Sequence, residues 1–131
     1  MGRSFFAPTA GGAKVGSGGA LLDLRPESQY SGDAGPRLLA RKGTIPGARN
    51  VPLDRLTRGG AFKTPAALAA IFAEAEAARS GPLTCFCNTG HMAALGWFVA
   101  YELLGNTEGR LYDGSMAAWS ADPDREMVAG E

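Results

Sequence analysis

The sequence predicts a single α/β domain built on a parallel sheet, and three observations carry that prediction. Short apolar runs at residues 20–24, 83–87 and 110–113 read as strands. Between them lie a helix start at Thr64-Pro65 and a long apolar stretch at 93–104, so strands alternate with helices. The chain has 131 residues, which fits one domain with one sizeable core. Residues 1–19 are rich in Gly, Ala and Ser without an apolar period, and read as a flexible tail or remnant linker. The folded domain is expected over residues 20–131.

Charge and composition exclude several classes. Thirteen basic and thirteen acidic residues cancel, so no broad field recruits nucleic acid or an anionic membrane. No run approaches the roughly 18 apolar residues of a membrane helix, and the N-terminus has no signal-peptide core. The two cysteines stand two positions apart and make no disulfide framework. Residues i and i+2 of a strand lie about 6.6 Å apart, whereas bridged Cβ atoms need about 4 Å. A reducing, cytoplasmic location is expected; a periplasmic protein with its signal removed would look similar.

In chain order, Ala20-Leu21-Leu22-Asp23-Leu24 is the first buried strand, broken by Arg25-Pro26-Glu27. Asp23 and Arg25 read as an internal ion pair that braces the following loop. Residues 31–42, with glycines, a proline and the basic residues Arg37, Arg41 and Lys42, have the composition of a surface loop. Asn50-Val51-Pro52 is a brief strand closed by proline. Thr64 and Pro65 supply a hydroxyl N-cap and a first-turn proline. Leu68, Ile71, Phe72 and Ala75 then follow at helical spacing, with Glu74, Glu76 and Arg79 on the other faces. Gly81-Pro82 is the expected stop. The helix after residue 93 has almost no polar face, which predicts burial under other elements, and Gly105 reads as its C-terminal cap. Asp113-Gly114 marks a turn, and Trp119 a packing residue rather than a binding platform.

The chemistry is concentrated in Leu83-Thr84-Cys85-Phe86-Cys87-Asn88-Thr89-Gly90-His91-Met92-Ala93-Ala94. Cys87 ends a strand and faces the start of a helix, the crevice where open parallel sheets bind ligands. The first amides of a helix lack partners within it and carry partial positive charge. A thiolate there is stabilised, its pKa falling from about 8.5 into roughly the 3.5–7.5 range. Cys85, inside the strand, reads as a small buried hydrophobe. The Asn-Thr-Gly after Cys87 offers no reason to bury it, so Cys87 is the nucleophile candidate.

These pieces together resemble the rhodanese family of sulfurtransferases. The carriers are Leu22-Asp23-Leu24-Arg25, Gly43-Thr44-Ile45-Pro46-Gly47-Ala48-Arg49-Asn50-Val51-Pro52, Cys87-Asn88-Thr89-Gly90-His91-Met92-Ala93 and Tyr112-Asp113-Gly114-Ser115-Met116-Ala117-Ala118-Trp119. Order and spacing make the joint signal strong over residues 21–127. The gap between Tyr30 and Ile45 and the Asp-Gly-Ser resemble the C-terminal domain of tandem members. The resemblance implies a central parallel sheet with helices on both faces. It implies Cys87 as the catalytic residue, receiving a sulfane sulfur as a persulfide from a donor such as thiosulfate and passing it to cyanide or a thiol. It further implies a substrate loop of Asn88, Thr89, Gly90, His91 and Met92, and no cofactor or metal. Beside it, Asp23, Arg25 and Lys42 are expected in supporting parts, with Arg25 and Lys42 the candidates to supply the positive charge that the loop lacks. The partners implied are a small sulfur donor and a thiophilic acceptor, with another rhodanese domain as a candidate.

The sequence departs from the family where charge matters. Family loops often carry Arg or Lys beside the cysteine; Asn88 and Thr89 stand there, and Gln29 stands where thiosulfate-type members often have arginine. Both changes weaken the expected hold on a dianion. Thr44, Met116 and Ala118 replace a histidine, an aromatic and an acid, which is read as a matter of packing. His91, the only histidine, has two readings: a hydrogen-bonding group for the persulfide or donor, and a residue that merely starts the helix. Two other functions compete. A phosphatase or arsenate reductase would need a guanidinium where Ala93 stands. For a non-catalytic rhodanese-like binding module, the uncharged loop speaks in favour and retention of Cys87 speaks against. Cys85, Cys87 and His91 lack the usual spacing of metal ligands.

Overall fold

The computed structural model describes residues 19–77 and 81–131. The tail expected over residues 1–19 therefore lies, apart from Gly19, outside the described residues, as does Arg79. Four parallel strands form the central sheet: β1 (Ala20–Asp23), β2 (Arg49–Asn50), β5 (Leu83–Phe86) and β6 (Gly109–Leu111), in the order β2-β1-β5-β6. A two-stranded hairpin, β3 (Thr57–Arg58) and β4 (Ala61–Phe62), stands apart from it. The helices are α1 (Glu27–Ser31), α2 (Pro65–Glu74), α3 (His91–Phe98) and α4 (Ser115–Ala121).

The pleat divides the core into two layers, because successive strand residues point to opposite faces. Leu22, Leu83 and Cys85 pack with Leu68, Ile71 and Phe72 of α2 and Ala93 of α3. Leu21 and Phe86 point the other way, toward Tyr30 of α1 and Met116 and Trp119 of α4. Helices thus cover both faces, as expected, and the strands are apolar runs because both of their sides are buried.

Local signals explain most boundaries. The Thr64 hydroxyl accepts from the Ala67 amide at 3.3 Å, and Pro65 opens α2. Gly105, at φ +73, follows the helical stretch that continues α3 through a π turn at Val99–Leu103. Gly96 has no Cβ to hold α3 away from the sheet; one would stand 2.9 Å from the Leu24 side chain. Trp119 is buried, its indole N–H donating to the Glu126 carbonyl at 2.8 Å, which fits its reading as a packing residue.

Two expectations are corrected. The helix α2 stops at Glu74, well before Gly81-Pro82, because the chain turns at Ala75 and Glu76 adopts φ +62. Glu76 there pairs with Arg49 at 3.0 Å. The helix α3 is not buried all round: Leu95 and Phe98 are exposed, with Phe98 stacked on Phe62 at 5.7 Å. Its lack of a polar face reflects the apolar atoms that any folded surface displays, not a covering element.

Candidate functional site

The strand β5 ends at Phe86, and the chain then makes a tight loop, Cys87 to Gly90, before α3 starts at His91. The Cys87 sulfur accepts hydrogen bonds from two backbone amides, Gly90 at 3.1 Å and Ala93 at 3.3 Å. Ala93 is the third residue of α3, so the sulfur serves as the helix cap that no side chain at Gly90 can supply. Gly90 sits at φ +100, and a Cβ on it would lie 3.0 Å from the Asp113 carbonyl oxygen. Only glycine fits this turn without strain.

The loop is pinned from behind by the start of α4. The Cys87 amide donates to the Ser115 hydroxyl at 3.1 Å, and that hydroxyl donates to the Tyr112 carbonyl at 2.9 Å. The amides of Met116 and Ala117 donate to the carbonyls of Cys87 and Asn88, each at 2.9 Å. Ser115 is fully buried and held at φ +51, unusual for a residue with a side chain. Met116 is a core residue, in keeping with its reading as packing.

On the other side stands a buried ion pair. Asp23 and Arg25 are both fully buried and meet at 2.7 Å, as the sequence suggested. Arg25 also donates to the Gly43 carbonyl at 2.7 Å and reaches Asn88 Oδ1 at 3.4 Å. Thr44 is more than packing, since its hydroxyl donates to Asp23 at 2.9 Å. The Asn88 side-chain amide donates to Gln29 Oε1 at 2.9 Å. Arg25 is thus spent on the fold, sealed from solvent and neutralised by Asp23. Lys42 is exposed beside Gly35, and among the described residues no hydrogen bond or ion pair joins it to the loop.

Cys87 is only 2% exposed, against the expectation drawn from the polar residues after it. Its sulfur points inward beneath the loop, toward the start of α3. Thr89 and His91 form the exposed rim, with Thr89 Oγ1 3.3 Å from His91 Nδ1, and Met92 is half-buried against the core. Cys85 is fully buried; burial, and secondarily the proximity of Cys87, push its thiol well above the ordinary range. Both cysteines are free. The Ala93 methyl is fully buried in the core and brings no charge to the loop. Among the described residues no group of three His, Cys, Asp or Glu side chains is placed to hold a metal ion.

Ser115, Ala93 and Gln29 are the site residues that sequence reasoning missed as such. The Asp-Gly-Ser before α4 was a visible signal for Ser115. Position 29 was marked only by its departure from the arginine of thiosulfate-type members; its bond to Asn88 had no signal, because the two residues are 59 positions apart.

Residues 10–122 match the rhodanese-like domain. The chain belongs to the rhodanese-like family. It is 36% identical over 136 residues to the thiosulfate sulfurtransferase of Corynebacterium glutamicum, covering 98% of this chain and 44% of that protein. It is 35% identical over 105 residues to the 3-mercaptopyruvate sulfurtransferase of Escherichia coli, covering 79% of this chain and 37% of that one. The chain therefore spans about two fifths of the length of these rhodanese relatives. Among solved structures, the anaerobic ergothioneine biosynthesis enzyme of Chlorobium limicola superposes with a TM-score of 0.82 at 22% identity, over 93% of this chain and 31% of that one. At that identity the likeness concerns the rhodanese fold alone. Among the described residues no helix is long and apolar enough to cross a membrane.

Proposed function

We propose that this rhodanese-like domain is a sulfurtransferase that carries a sulfane sulfur as a persulfide on Cys87. The observation that carries the reading is the convergence of the Gly90 and Ala93 amides on the Cys87 sulfur, at 3.1 and 3.3 Å. Fixed amides aimed at one sulfur stabilise negative charge there without having to reorganise. The names of the relatives, thiosulfate sulfurtransferase and 3-mercaptopyruvate sulfurtransferase, support the coarser part of the reading, sulfur transfer.

The reaction has two displacements. The Cys87 thiolate attacks the outer sulfur of thiosulfate or a similar donor; the donor S–S bond breaks and sulfite leaves with the electron pair. Cyanide, or an acceptor thiolate, then attacks the terminal sulfur of the Cys87 persulfide. The S–S bond breaks toward Cys87, releasing thiocyanate or the acceptor persulfide and restoring the thiolate. Sulfur moves without change of oxidation balance, so neither half needs an external electron source.

The remaining residues take supporting parts in this proposal. Asp23 and Arg25 hold the wall behind the loop, and Asn88 is tied to them. Thr89, Gly90, His91 and Met92 line the approach, with His91 at the rim as a hydrogen-bonding group for an entering donor. Lys42 is left as an exposed charge next to Gly43, whose carbonyl Arg25 holds. The partners are a small sulfur donor and a thiophile, and another rhodanese domain is the candidate macromolecular partner.

Release of thiocyanate from thiosulfate and cyanide tests the reading. The wild-type chain should turn over, and Cys87→Ser should fall to the uncatalysed background. One observation favours a second reading, a non-catalytic binding module: Cys87 is almost fully buried beneath a loop without a cation. Absence of turnover with thiosulfate, mercaptopyruvate and polysulfide alike would favour that module.

A further inference from the structure

Asn88 is the loop residue most firmly held from outside the loop. Its carbonyl accepts from the Ala117 amide at 2.9 Å. Its side-chain oxygen faces Arg25 Nη1 at 3.4 Å, and its side-chain nitrogen donates to Gln29 Oε1 at 2.9 Å. Arg25 has no freedom to do otherwise, being locked to Asp23 and the Gly43 carbonyl. Gln29 is different: it is half-buried, stands on the five-residue helix α1, and belongs to no part of the buried ion pair. Asn88 directly follows Cys87 and precedes the cradle donor Gly90 by two residues. A backbone rotation at Asn88, which the anchored side chain opposes, would tilt the peptide planes that lead to the Gly90 amide.

We infer that Gln29 is a positioning residue: by holding the Asn88 side chain against Arg25, it keeps the Gly90 and Ala93 amides aimed at the Cys87 sulfur. The inference rests on the sulfur-carrier reading of Cys87. It also says which half of the reaction depends on Gln29. In discharge, the thiophile bonds to the outer sulfur, the S–S bond breaks, and the electron pair lands on Cys87 Sγ, where the two amides receive it. In loading, the same amides already stabilise the attacking thiolate, which lowers its energy and its nucleophilicity together. A misaimed cradle therefore slows discharge and leaves loading nearly unchanged.

The experiment is single-turnover mass spectrometry of Gln29→Leu and Gln29→Glu. Purified protein is loaded from thiosulfate and then discharged with cyanide. Gln29→Leu keeps the bulk and removes the acceptor, and should discharge roughly five- to tenfold more slowly, the effect of about one neutral hydrogen bond. Its loading rate should stay within about twofold. Gln29→Glu keeps an acceptor for the Asn88 N–H and should discharge at the wild-type rate. Wild-type discharge by Gln29→Leu, or an equal slowing of both halves that Gln29→Glu does not rescue, would overturn the inference. Should the wild-type protein accept no sulfur on Cys87, the sulfur-carrier reading fails instead, and amide NMR still decides the positioning. Gln29→Leu should then move the Gly90 and Ala93 resonances and Gln29→Glu restore them; unmoved resonances would overturn the role of Gln29.

Discussion

Cys85 and Cys87 stand two positions apart, face the same core layer and are both withdrawn from solvent, at 0% and 2% exposure. By burial alone they are the same residue. They differ in what points at the sulfur. Cys85 lies inside β5, its backbone paired with Leu22 on one side and Leu111 on the other. Among the described residues no hydrogen bond reaches its sulfur, and burial holds it as a thiol. Cys87 lies one residue past the strand, where two amides converge on its sulfur. Two positions along the chain separate a packing atom from a sulfur that accepts two amide hydrogen bonds. Donors, not exposure, set the two sulfurs apart, and on them rests the proposal that Cys87 is the reactive cysteine.

The comparison can be broken most severely at Gly90. Gly90→Ala must carry a side chain at φ +100 and place a Cβ 3.0 Å from the Asp113 carbonyl oxygen. The loop must shift, and the cradle with it. Loss of an amide donor of this kind costs about a hundredfold in rate, so sulfur transfer should fall by roughly that factor. Steady-state kinetics normalised to folded protein would show it, and wild-type turnover by Gly90→Ala would mean that the cradle is not needed.

The other arm of the comparison is tested at Cys85. Cys85→Ser buries a hydroxyl in an apolar layer and should lower unfolding stability by about 1–3 kcal/mol, measured by denaturant titration. Transfer per folded molecule should be unchanged. A change in kinetics with intact stability would give Cys85 a chemical role that its surroundings do not suggest.

The pH dependence sharpens the same point. The Cys85 thiol is held above its unfolded value by burial first and by Cys87 second. A raised folded value adds stability that is complete below about pH 8.5, the ordinary thiol range, and is lost as pH rises beyond it. Stability should therefore fall above about pH 8.5, by up to about 1.4 kcal/mol per pH unit from this one group. Cys85→Ala should flatten that fall, until the raised Tyr112 phenol begins to contribute near pH 10 and above. Identical slopes in the two proteins would show that Cys85 ionises in the folded state.

The smallest effect concerns the rim. Thr89 is exposed and uncharged, so nothing there opposes a dianion. Thr89→Lys should lower the thiosulfate KM by roughly tenfold or less, because a charged donor is worth about 1–2 kcal/mol when partly exposed. The gain should shrink with added salt. Asn88→Arg is the poorer test: it would break the Gln29 bond and set a second guanidinium against Arg25. An unchanged KM in Thr89→Lys would mean that donors approach by another side of the loop.

Much of the fold is legible in the sequence. Buried parallel strands must be apolar on both faces, so Leu21, Leu22 and Leu83 announced the sheet. Thr64 and Pro65 announced α2 because capping chemistry is local. The short pieces were silent: α1 spans five residues after Pro26 without a side-chain cap. The hairpin hides in Gly59 and Gly60, whose positive φ values close an exposed turn; the hairpin stands apart from the sheet and meets α3 through Phe62, stacked on Phe98. The pinning of the loop by Ser115, and of Asn88 by Gln29, joins residues 28 and 59 positions apart, which local patterning does not reveal. The burial of Cys87 was missed for the same reason, since the polar residues after it describe the rim and not the direction of its sulfur.

The central claim is that Cys87, and not Cys85, carries the sulfur. Intact-protein mass spectrometry after thiosulfate, with and without a cyanide chase, tests it most directly. The wild-type protein and Cys85→Ser should each gain one sulfur atom that cyanide removes, and Cys87→Ser should gain none. Sulfur retained on Cys87→Ser, or lost with Cys85→Ser in a folded protein, would contradict the account.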